Sequence, residues 1–244
     1  MRLNTDIEVE QNFAQWQLDL GHGKFTDDAD EIVLPEHFRC RENSVASLIN
    51  TIYPGVHSPT GQSDQCYSKR TILCSWNNDV DAINNSILDK FNGQAKVFHS
   101  ADSIPNNNGN GQEGILMYPV EYLNTINCSG LPLAKLTLKI GCPIMVLRNL
   151  NPSEGVCNGS RGIVTRIGQQ NRVLEVRLLT GQQAGQTIFI PRISITPTET
   201  QIPFPFCRRQ FPVRLCFAMT INKAQGQSVT HVGLNLSTSV FAHG

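Results

Sequence analysis

The residues of this chain whose types and spacing best suit chemistry lie near its end, at positions 220–228. There an apolar strand gives way to a short polar turn, TINKAQGQS, which holds one Lys, two Gln and one Gly. Ligands of α/β proteins are commonly held beyond the carboxyl ends of strands, where backbone N–H groups and short polar side chains converge. Gly226 would let the backbone approach an anion closely, and Lys223 would supply positive charge. This 220–228 turn is therefore interpreted as a phosphate-binding site, with a plain solvated loop as the alternative.

The net charge of zero is the sum of two oppositely charged halves. Residues 1–134 hold 8 Lys and Arg against 17 Asp and Glu, a net charge of −9, whereas residues 135–244 hold 12 against 3, a net charge of +9. A strongly basic half suggests a polyanionic partner, because neutralising phosphates releases counterions. Attraction between the two halves themselves is the alternative explanation.

The composition is that of a soluble globular protein. The chain has 244 residues, 40% of them hydrophobic and 16% charged, which is enough to bury a substantial core. No stretch approaches the roughly 18 apolar residues that a membrane span needs, and residues 1–6 lack the apolar core of a secretory signal. We therefore expect an intracellular protein that has no membrane partner.

The eight cysteines and six histidines show none of the spacings typical of zinc sites. Several cysteines, such as Cys74 and Cys216, lie inside apolar runs and are interpreted as small buried hydrophobic residues in a reducing compartment. A cysteine nucleophile paired with a histidine is the alternative, although no local pattern supports it.

The elements that must position the 220–228 turn begin with helices and short strands. The spacing of Phe13, Trp16 and Leu20 predicts a helix that ends at 21–23, and a second short helix is expected around 48–52. An apolar run at 71–74, polar capping residues at 77–79 and helical spacing of apolar residues from 80 to 91 form one strand–helix unit of a parallel sheet. Another strand is expected at 97–100, and the polar run 102–114 predicts a surface loop.

From about residue 136 the pattern changes to short β segments separated by turns. Their spacing favours a small barrel, with strands at 136–140, 144–147, 162–164, 173–178 and 187–190. Buried strands at 214–219 and 232–236 then return to the α/β sheet. The sequence therefore predicts three parts: 1–134 as the first part of an α/β lobe, 135–212 as an inserted barrel, and 213–244 as the return to the lobe.

Several long motifs occur in a fixed order along the chain. They are LKIGCPIMVLRNLNP at 138–152, CNGSR at 157–161, FIPRI at 189–193, RRQFPVR at 208–214 and the 220–228 turn, with further matches at 13–16, 118–124 and 130–132. Together they closely resemble the Pif-type (petite integration frequency) DNA helicases, including those carried by Helitron transposons. The resemblance implies an α/β fold, namely the second RecA-like lobe of a superfamily-one motor, with a parallel sheet, flanking helices and an inserted small β-barrel of the Src-homology type.

In that family ATP binds with Mg²⁺ in the cleft between two RecA-like lobes. The resemblance therefore implies two partners, single-stranded DNA and a first RecA-like lobe, which belongs to the same longer chain or to a partner. This sequence has no G-x-x-x-x-G-K-[ST] loop, and the Walker B acid of the first lobe is also absent. We expect ATP and Mg²⁺ to serve the complete helicase, and neither to be bound by this chain alone.

The resemblance also assigns roles to particular residues. In the 220–228 turn, Thr220, Asn222 and Lys223 correspond to contacts with the DNA backbone, whereas Gly226, Gln227 and Ser228 lie towards the nucleotide. Ala224 stands where the family more often has Ser, which puts a DNA contact there in doubt. Residues around the predicted barrel would extend the DNA track, with a solvated surface as the alternative; these are Arg148, Asn158, Arg161, Arg208 and Arg209.

Two further residues carry candidate roles. Arg2 resembles the Arg of the family's Asn-Met-Arg-Leu element and is the candidate arginine finger, a catalytic and nucleotide-binding group; a disordered terminal residue is the alternative. Both ends resemble motifs that have been cut through, and the family's second phosphate-sensing Arg would follow residue 244. Trp76 is a candidate stacking platform for a base, with core packing as the alternative.

The expected function is that of a C-terminal fragment of an ATP-dependent 5′-to-3′ DNA helicase, of the type that serves repair, recombination and telomere maintenance. A eukaryotic member would be expected in the nucleus or in mitochondria. Two alternatives remain, a non-catalytic DNA-binding module and a truncated transposon relic without activity of its own.

Overall fold

A computed structural model describes residues 7–25, 32, 34–56, 63–105, 118–128, 130–197 and 202–238. The chain forms two compact units, Met1–Ser44 and Val45–Gly244. Arg2 lies outside the described residues, as does most of the predicted 102–114 loop.

The first unit is built around one helix, α1 (Ile7–Gly21), and a 3₁₀ helix, Glu36–Phe38. The predicted helix is thus confirmed, and it ends at Gly21 as expected. Phe13 and Trp16 lie on one face of α1 and pack with Phe25 and Phe38, with ring centroids 5.4–6.3 Å apart. This aromatic cluster holds the unit together.

The second unit contains the remaining helices and strands. In chain order these are α2 (Val45–Ile52), α3 (Asp64–Lys69), β1 (Arg70–Cys74), α4 (Asn77–Lys90), β2 (Lys96–His99), β3 (Ala101–Ser103), α5 (Val120–Thr125), β4 (Lys135–Leu138), β5 (Pro143–Val146), β6 (Arg161–Ile167), β7 (Val173–Leu178), β8 (Thr187–Pro191), β9 (Ile193–Ile195), β10 (Cys207–Gln210), β11 (Val213–Leu215), β12 (Ala218–Thr220), α6 (Ile221–Ala224) and β13 (His231–Asn235), with 3₁₀ helices at Pro152–Glu154 and Gln169–Asn171.

A three-stranded parallel sheet carries the 220–228 turn. Its order is β12-β1-β13, and Cys74 at the end of β1 lies in register with Thr220 on one side and Asn235 on the other. β1 is almost wholly buried, as expected for a parallel strand that is covered on both faces. The predicted strand–helix unit is confirmed, since α4 follows β1 and turns Val80, Ile83, Ile87 and Leu88 inward.

The predicted strand at 214–219 is wrong, because the structure divides it between two sheets. β11 pairs antiparallel with β5, and β12 pairs parallel with β1. The buried amide of Asn84 on α4 stabilises the crossing between them: its Nδ2 donates to the carbonyls of Leu215 and Ala218, and its Oδ1 accepts from the N–H groups of Phe217 and Ala218 at 2.9–3.3 Å. One polar side chain thus satisfies backbone groups that neither sheet pairs.

Most of the other strands form a five-stranded antiparallel sheet of order β11-β5-β6-β7-β8. Two smaller sheets have the orders β3-β10-β9 and β2-β4. Strand pairs therefore cross both predicted boundaries: β2 and β3 pair with β4 and β10 across residue 135, and β11 pairs with β5 across residue 213.

Aromatic side chains fill the core beside the parallel sheet. Tyr53, Tyr67, Phe91 and Phe217 pack ring against ring with centroids 5.7–6.4 Å apart, and the hydroxyl of Tyr53 donates to the carbonyl of Phe217 at 2.7 Å. None of the helices in the described part of the chain is long and apolar enough to cross a membrane.

Candidate nucleic-acid interface

The 220–228 turn lies at the carboxyl edge of the parallel sheet. β12 ends at Thr220, which immediately precedes α6 and is half-buried, whereas Asn222 on α6 is exposed and Lys223 is half-buried. Ala224 packs against a buried cluster of Met145, Cys216 and Met219, together with Leu73. This contact anchors one side of α6, and it supports the doubt about a DNA contact at position 224.

The second half of the turn reaches across to the five-stranded sheet. The N–H of Gln227 donates to the carbonyl of Ala224 at 2.9 Å, and Gly226 adopts a φ of +81°, a conformation that glycine adopts without strain. The side chain of Gln227 then donates from Nε2 to the carbonyl of Gly159 at 3.1 Å. The turn between β5 and β6 is thereby held beside the 220–228 turn.

Asn158 is one of the predicted DNA-binding residues that this contact brings together with the 220–228 turn. Its side chain is exposed, and its backbone N–H donates to Oδ1 of Asn149 at 2.9 Å, which fixes the local backbone. The structure thus gathers Asn158, Asn222 and Lys223 near one joint between two sheets, although they lie more than 60 positions apart in the sequence. We call these three residues, with Thr220, the joint surface.

The remaining predicted DNA-binding arginines have different surroundings. Arg148 follows β5 and is half-buried, with its guanidinium beside the position that a side chain on Gly130 would take. Arg209 is exposed on β10, which belongs to a different sheet from the 220–228 turn.

The prediction that Arg161 binds DNA is wrong, because its side chain is fully buried. The guanidinium donates from Nη1 to the carbonyl of Ser68 at 3.3 Å and from Nη2 to the carbonyls of Arg70, at 3.0 Å, and of Tyr67. Arg161 at the start of β6 therefore ties the end of α3 and the start of β1 to the five-stranded sheet. No part of this guanidinium is available to a phosphate.

The same correction applies to Arg208. Its guanidinium forms a two-pronged ion pair with the carboxylate of Asp102 at 2.7 and 2.9 Å and also donates to the carbonyls of Leu123, Ile126 and Pro132. Both side chains are essentially inaccessible, with 1% and 0% of their surfaces exposed. Arg208 therefore stabilises the packing of α5 and β3 on β10 and does not reach DNA. Asp102, which the sequence placed in a loop, lies on β3.

Arg192 was not among the residues that the sequence assigned to DNA binding. Its Nη1 donates to the carbonyl of His99 at 2.6 Å, and its guanidinium lies over the rings of Phe98 and Phe211 at 5.8 and 5.0 Å. Burial lowers the pKa of Arg192, and the positive charge of Arg209 lowers this pKa further. The cations Arg192 and Arg209 therefore lie close together. Arg192 is part of the FIPRI motif, but the motif does not indicate that Arg209 lies near it.

The three candidate nucleotide-facing residues have different surroundings. Gly226 and Ser228 are exposed, and a side chain added at Gly226 would meet no atom within 4 Å. The amide of Gln227, by contrast, is engaged with Gly159. Among the residues that the structure describes, no group of three or more His, Cys, Asp and Glu side chains could hold a metal ion.

Three of the eight cysteines are buried hydrophobic residues. Burial raises the pKa of the Cys74 thiol to about 11 and that of the Cys142 thiol to about 12, so neither thiol forms the thiolate that a nucleophile requires near neutral pH. Cys74, Cys142 and Cys216 are all buried and free of disulfides. For these three cysteines the interpretation as core residues is therefore supported over that of a nucleophile.

The family model and the human and rat relatives that match this chain all carry the name Pif1. Residues 121–167 match the family model described as "DNA helicase Pif1, 2B domain". The human "ATP-dependent DNA helicase PIF1" is 31% identical over 175 residues, and the rat protein of the same name is 32% identical over 176; each match covers 71% of this chain and 24% of the relative. The chain thus spans about a quarter of the length of these relatives.

A solved structure shares the fold. The crystal structure of Pif1 helicase from Candida albicans is 18% identical in sequence, with a TM-score of 0.50, and the match covers 85% of this chain and 50% of that one. At this level of identity the likeness concerns the fold alone, and it agrees with the mixed α/β architecture described above.

Proposed function

We propose, for a chain that belongs to the Pif1-type helicases and corresponds to a C-terminal part of them, that its joint surface binds the backbone of single-stranded DNA. The observation that carries the proposal is the hydrogen bond from Gln227 Nε2 to the carbonyl of Gly159 at 3.1 Å. It joins the turn that carries the exposed Asn158 to the 220–228 turn, which carries Asn222 and Lys223 on α6. Amide, hydroxyl and ammonium groups at one site are suited to phosphate oxygens.

The distribution of charge supports this assignment. The joint surface belongs to the half of the chain that carries a net charge of +9. Arg148, Arg192 and Arg209 add cations to that half at exposed or half-buried positions. A surface of this sign attracts a polyanion and releases its counterions when phosphates bind.

For the complete protein we propose ATP-driven 5′-to-3′ helicase activity, with Gly226, Gln227 and Ser228 facing the nucleotide and Arg2 acting as an arginine finger. The human and rat relatives are named ATP-dependent DNA helicases. Gly226 has the open backbone that allows an anion to approach closely, but this sequence contains no phosphate-binding loop. ATP and Mg²⁺ are therefore assigned to the complete helicase, in which a first RecA-like lobe supplies that loop.

The finer architecture and the cellular place are part of the same proposal. We assign the antiparallel strands between residues 135 and 212 to an inserted barrel of the Src-homology type, within the second RecA-like lobe. The kinship with Helitron-carried helicases, the roles in repair, recombination and telomere maintenance, and a nuclear or mitochondrial location in a eukaryote are likewise proposed.

Binding of a fluorescent oligonucleotide at several salt concentrations tests the proposed function. Lys223→Ala should weaken binding about equally for all sequences, because a phosphate contact carries no base information, and should lower the salt slope by about 0.7. Lys90→Ala, which removes an exposed Lys at the end of α4, is the matched control and should leave binding unchanged. Binding that is absent at low salt, or that does not depend on salt, would contradict the proposal.

A further inference from the structure

We infer that Trp76 stacks on one unpaired base of the DNA strand whose backbone the joint surface binds. The inference rests on the proposed function and extends it from the phosphates to a base. It assigns to this chain a stacking platform on the parallel sheet, beside the 220–228 turn.

The register of the parallel sheet places Trp76 next to that turn. Cys74 lies directly opposite Thr220, and neighbouring strands are about 4.8 Å apart. Both strands end at this level, and the chain continues from them into α4 and α6. Trp76, two residues beyond Cys74, therefore follows the end of the strand next to the one that carries Thr220.

A surface cavity of about 450 Å³ opens at this position. Its walls include Trp76, Asn77, Asn78, Asp79 and Asn127. The volume falls in the range of about 300–1,000 Å³ that is typical of small-ligand sites. Trp76 keeps 46% of its surface exposed, which rules out a role as a core residue alone and leaves part of the indole accessible to a ring.

The chemistry of the cavity suits a base better than a phosphate. None of the described residues that line it is Lys or Arg, and Asp79 would repel a phosphate. Asn amides can donate to and accept from the edges of a base, while the indole offers it a flat face. Asn127 is fixed in place, because its Oδ1 accepts a hydrogen bond from Nη2 of Arg214 at 2.5 Å. Phosphates at the turn and a base in the cavity are thus recognised separately.

The chain contains two tryptophans, which allows a direct test by fluorescence. In the 244-residue chain carrying Trp16→Phe, all tryptophan emission comes from Trp76. Oligo-dT should quench this emission on binding, whereas an oligonucleotide of the same length with abasic sites throughout should bind without quenching, because it keeps the phosphates and lacks the bases.

Substitution of Trp76 gives the matching affinity measurement. Trp76→Ala should weaken binding of oligo-dT by about 5- to 150-fold, the range that corresponds to about 1–3 kcal/mol for one stacked base, and should leave abasic binding unchanged. Trp76→Phe should retain most of the affinity. Circular dichroism verifies that each variant is folded, and the fluorescence test needs no substitution at Trp76.

Each outcome separates the two levels of the proposal. Binding of oligo-dT without quenching of Trp76, or with equal affinity in Trp76→Ala, overturns the stacking inference and leaves the joint surface in place. Binding of neither oligonucleotide at low salt overturns the proposed function and the inference together.

Discussion

Arginines with similar positions in sequence motifs have opposite surroundings in this molecule. Arg208 and Arg209 are neighbours, yet the first is fully buried and the second is exposed, because side chains alternate between the two faces of β10. The predicted DNA-binding residues Asn158 and Arg161 also differ: Asn158 is exposed in the turn before β6, whereas Arg161 is buried at the start of β6. Whether a cation of this kind reaches DNA is decided by the face on which it lies.

Replacing Arg161 should affect stability rather than DNA binding. Arg161→Met removes the donor for three carbonyl groups, of which that of Arg70 keeps the hydroxyl of Tyr53 as a donor. Loss of the donor to the other two should lower the free energy of unfolding by about 2–6 kcal/mol, since each buried acceptor left without a partner costs about 1–3 kcal/mol. Arg209→Met, at an exposed position, should change it by less than about 0.5 kcal/mol. Urea unfolding of both variants gives the two values. Equal values would show that Arg161 does not stabilise the contact of α3 and β1 with the five-stranded sheet.

These residue-level differences could not be predicted from the sequence alone. Arg161 binds carbonyl groups 91–94 positions away, and Arg208 pairs with an Asp 106 positions away. Neither distance leaves a local pattern, so a motif gives the residue type but not its surroundings. The 220–228 turn was identified correctly as the end of a strand because its signal, an apolar run followed by Gly and polar residues, is local.

At the scale of elements, the helices α1, α2 and α4 and most of the strands were predicted, whereas the short helices α3, α5 and α6 and the strands β3, β9 and β10 were not. The apolar spacing in α4 depends only on its own sequence, and it places the buried side chains correctly. β3 was predicted as a loop because its three residues are stabilised by pairing with β10. The division of 214–219 between two sheets depends on the amide of Asn84, more than 130 positions away, so continuous hydrophobicity gave no sign of it.

The contact of α2 with β13 depends on a glycine. A Cβ atom at Gly233 would lie 2.7 Å from Cγ1 of Ile52 and 2.7 Å from Cδ1 of Leu48, so the helix packs directly on the strand backbone. Gly233→Ala should therefore destabilise the second unit by about 1–3 kcal/mol, the usual cost of overpacking. Urea unfolding measures the loss.

Two further variants make this prediction specific. Leu234→Ala changes the next residue of β13, which is exposed, and should shift the free energy of unfolding by less than about 0.5 kcal/mol. Adding Leu48→Ala to Gly233→Ala removes the Cδ1 methyl group that lies 2.7 Å from the new Cβ, and should make the double variant more stable than the sum of the two single changes. Simple additivity would show that Leu48 does not crowd position 233.

At the scale of the whole molecule, the candidate site exists because two sheets meet. Thr220 ends β12 of the parallel sheet, and Asn222 and Lys223 lie on α6, which follows β12. Asn158 lies in the turn that follows β5 of the antiparallel sheet. Resemblance to a family predicted that these residues act together, whereas local patterns could not predict their proximity. The contact that joins them is small, one side-chain amide on one carbonyl.

Removing that contact should weaken DNA binding. Gln227→Ala deletes a hydrogen bond worth about 0.5–1.5 kcal/mol, which corresponds to a loss of affinity for oligo-dT of about 2- to 12-fold if the turn after β5 must stay beside α6. Gln225→Ala changes an exposed side chain of the same turn and serves as the control. Fluorescence anisotropy compares the two variants at one low salt concentration. If Gln227 acts only towards the nucleotide, both variants will bind oligo-dT equally, and the two sheets must then contact the strand independently of each other.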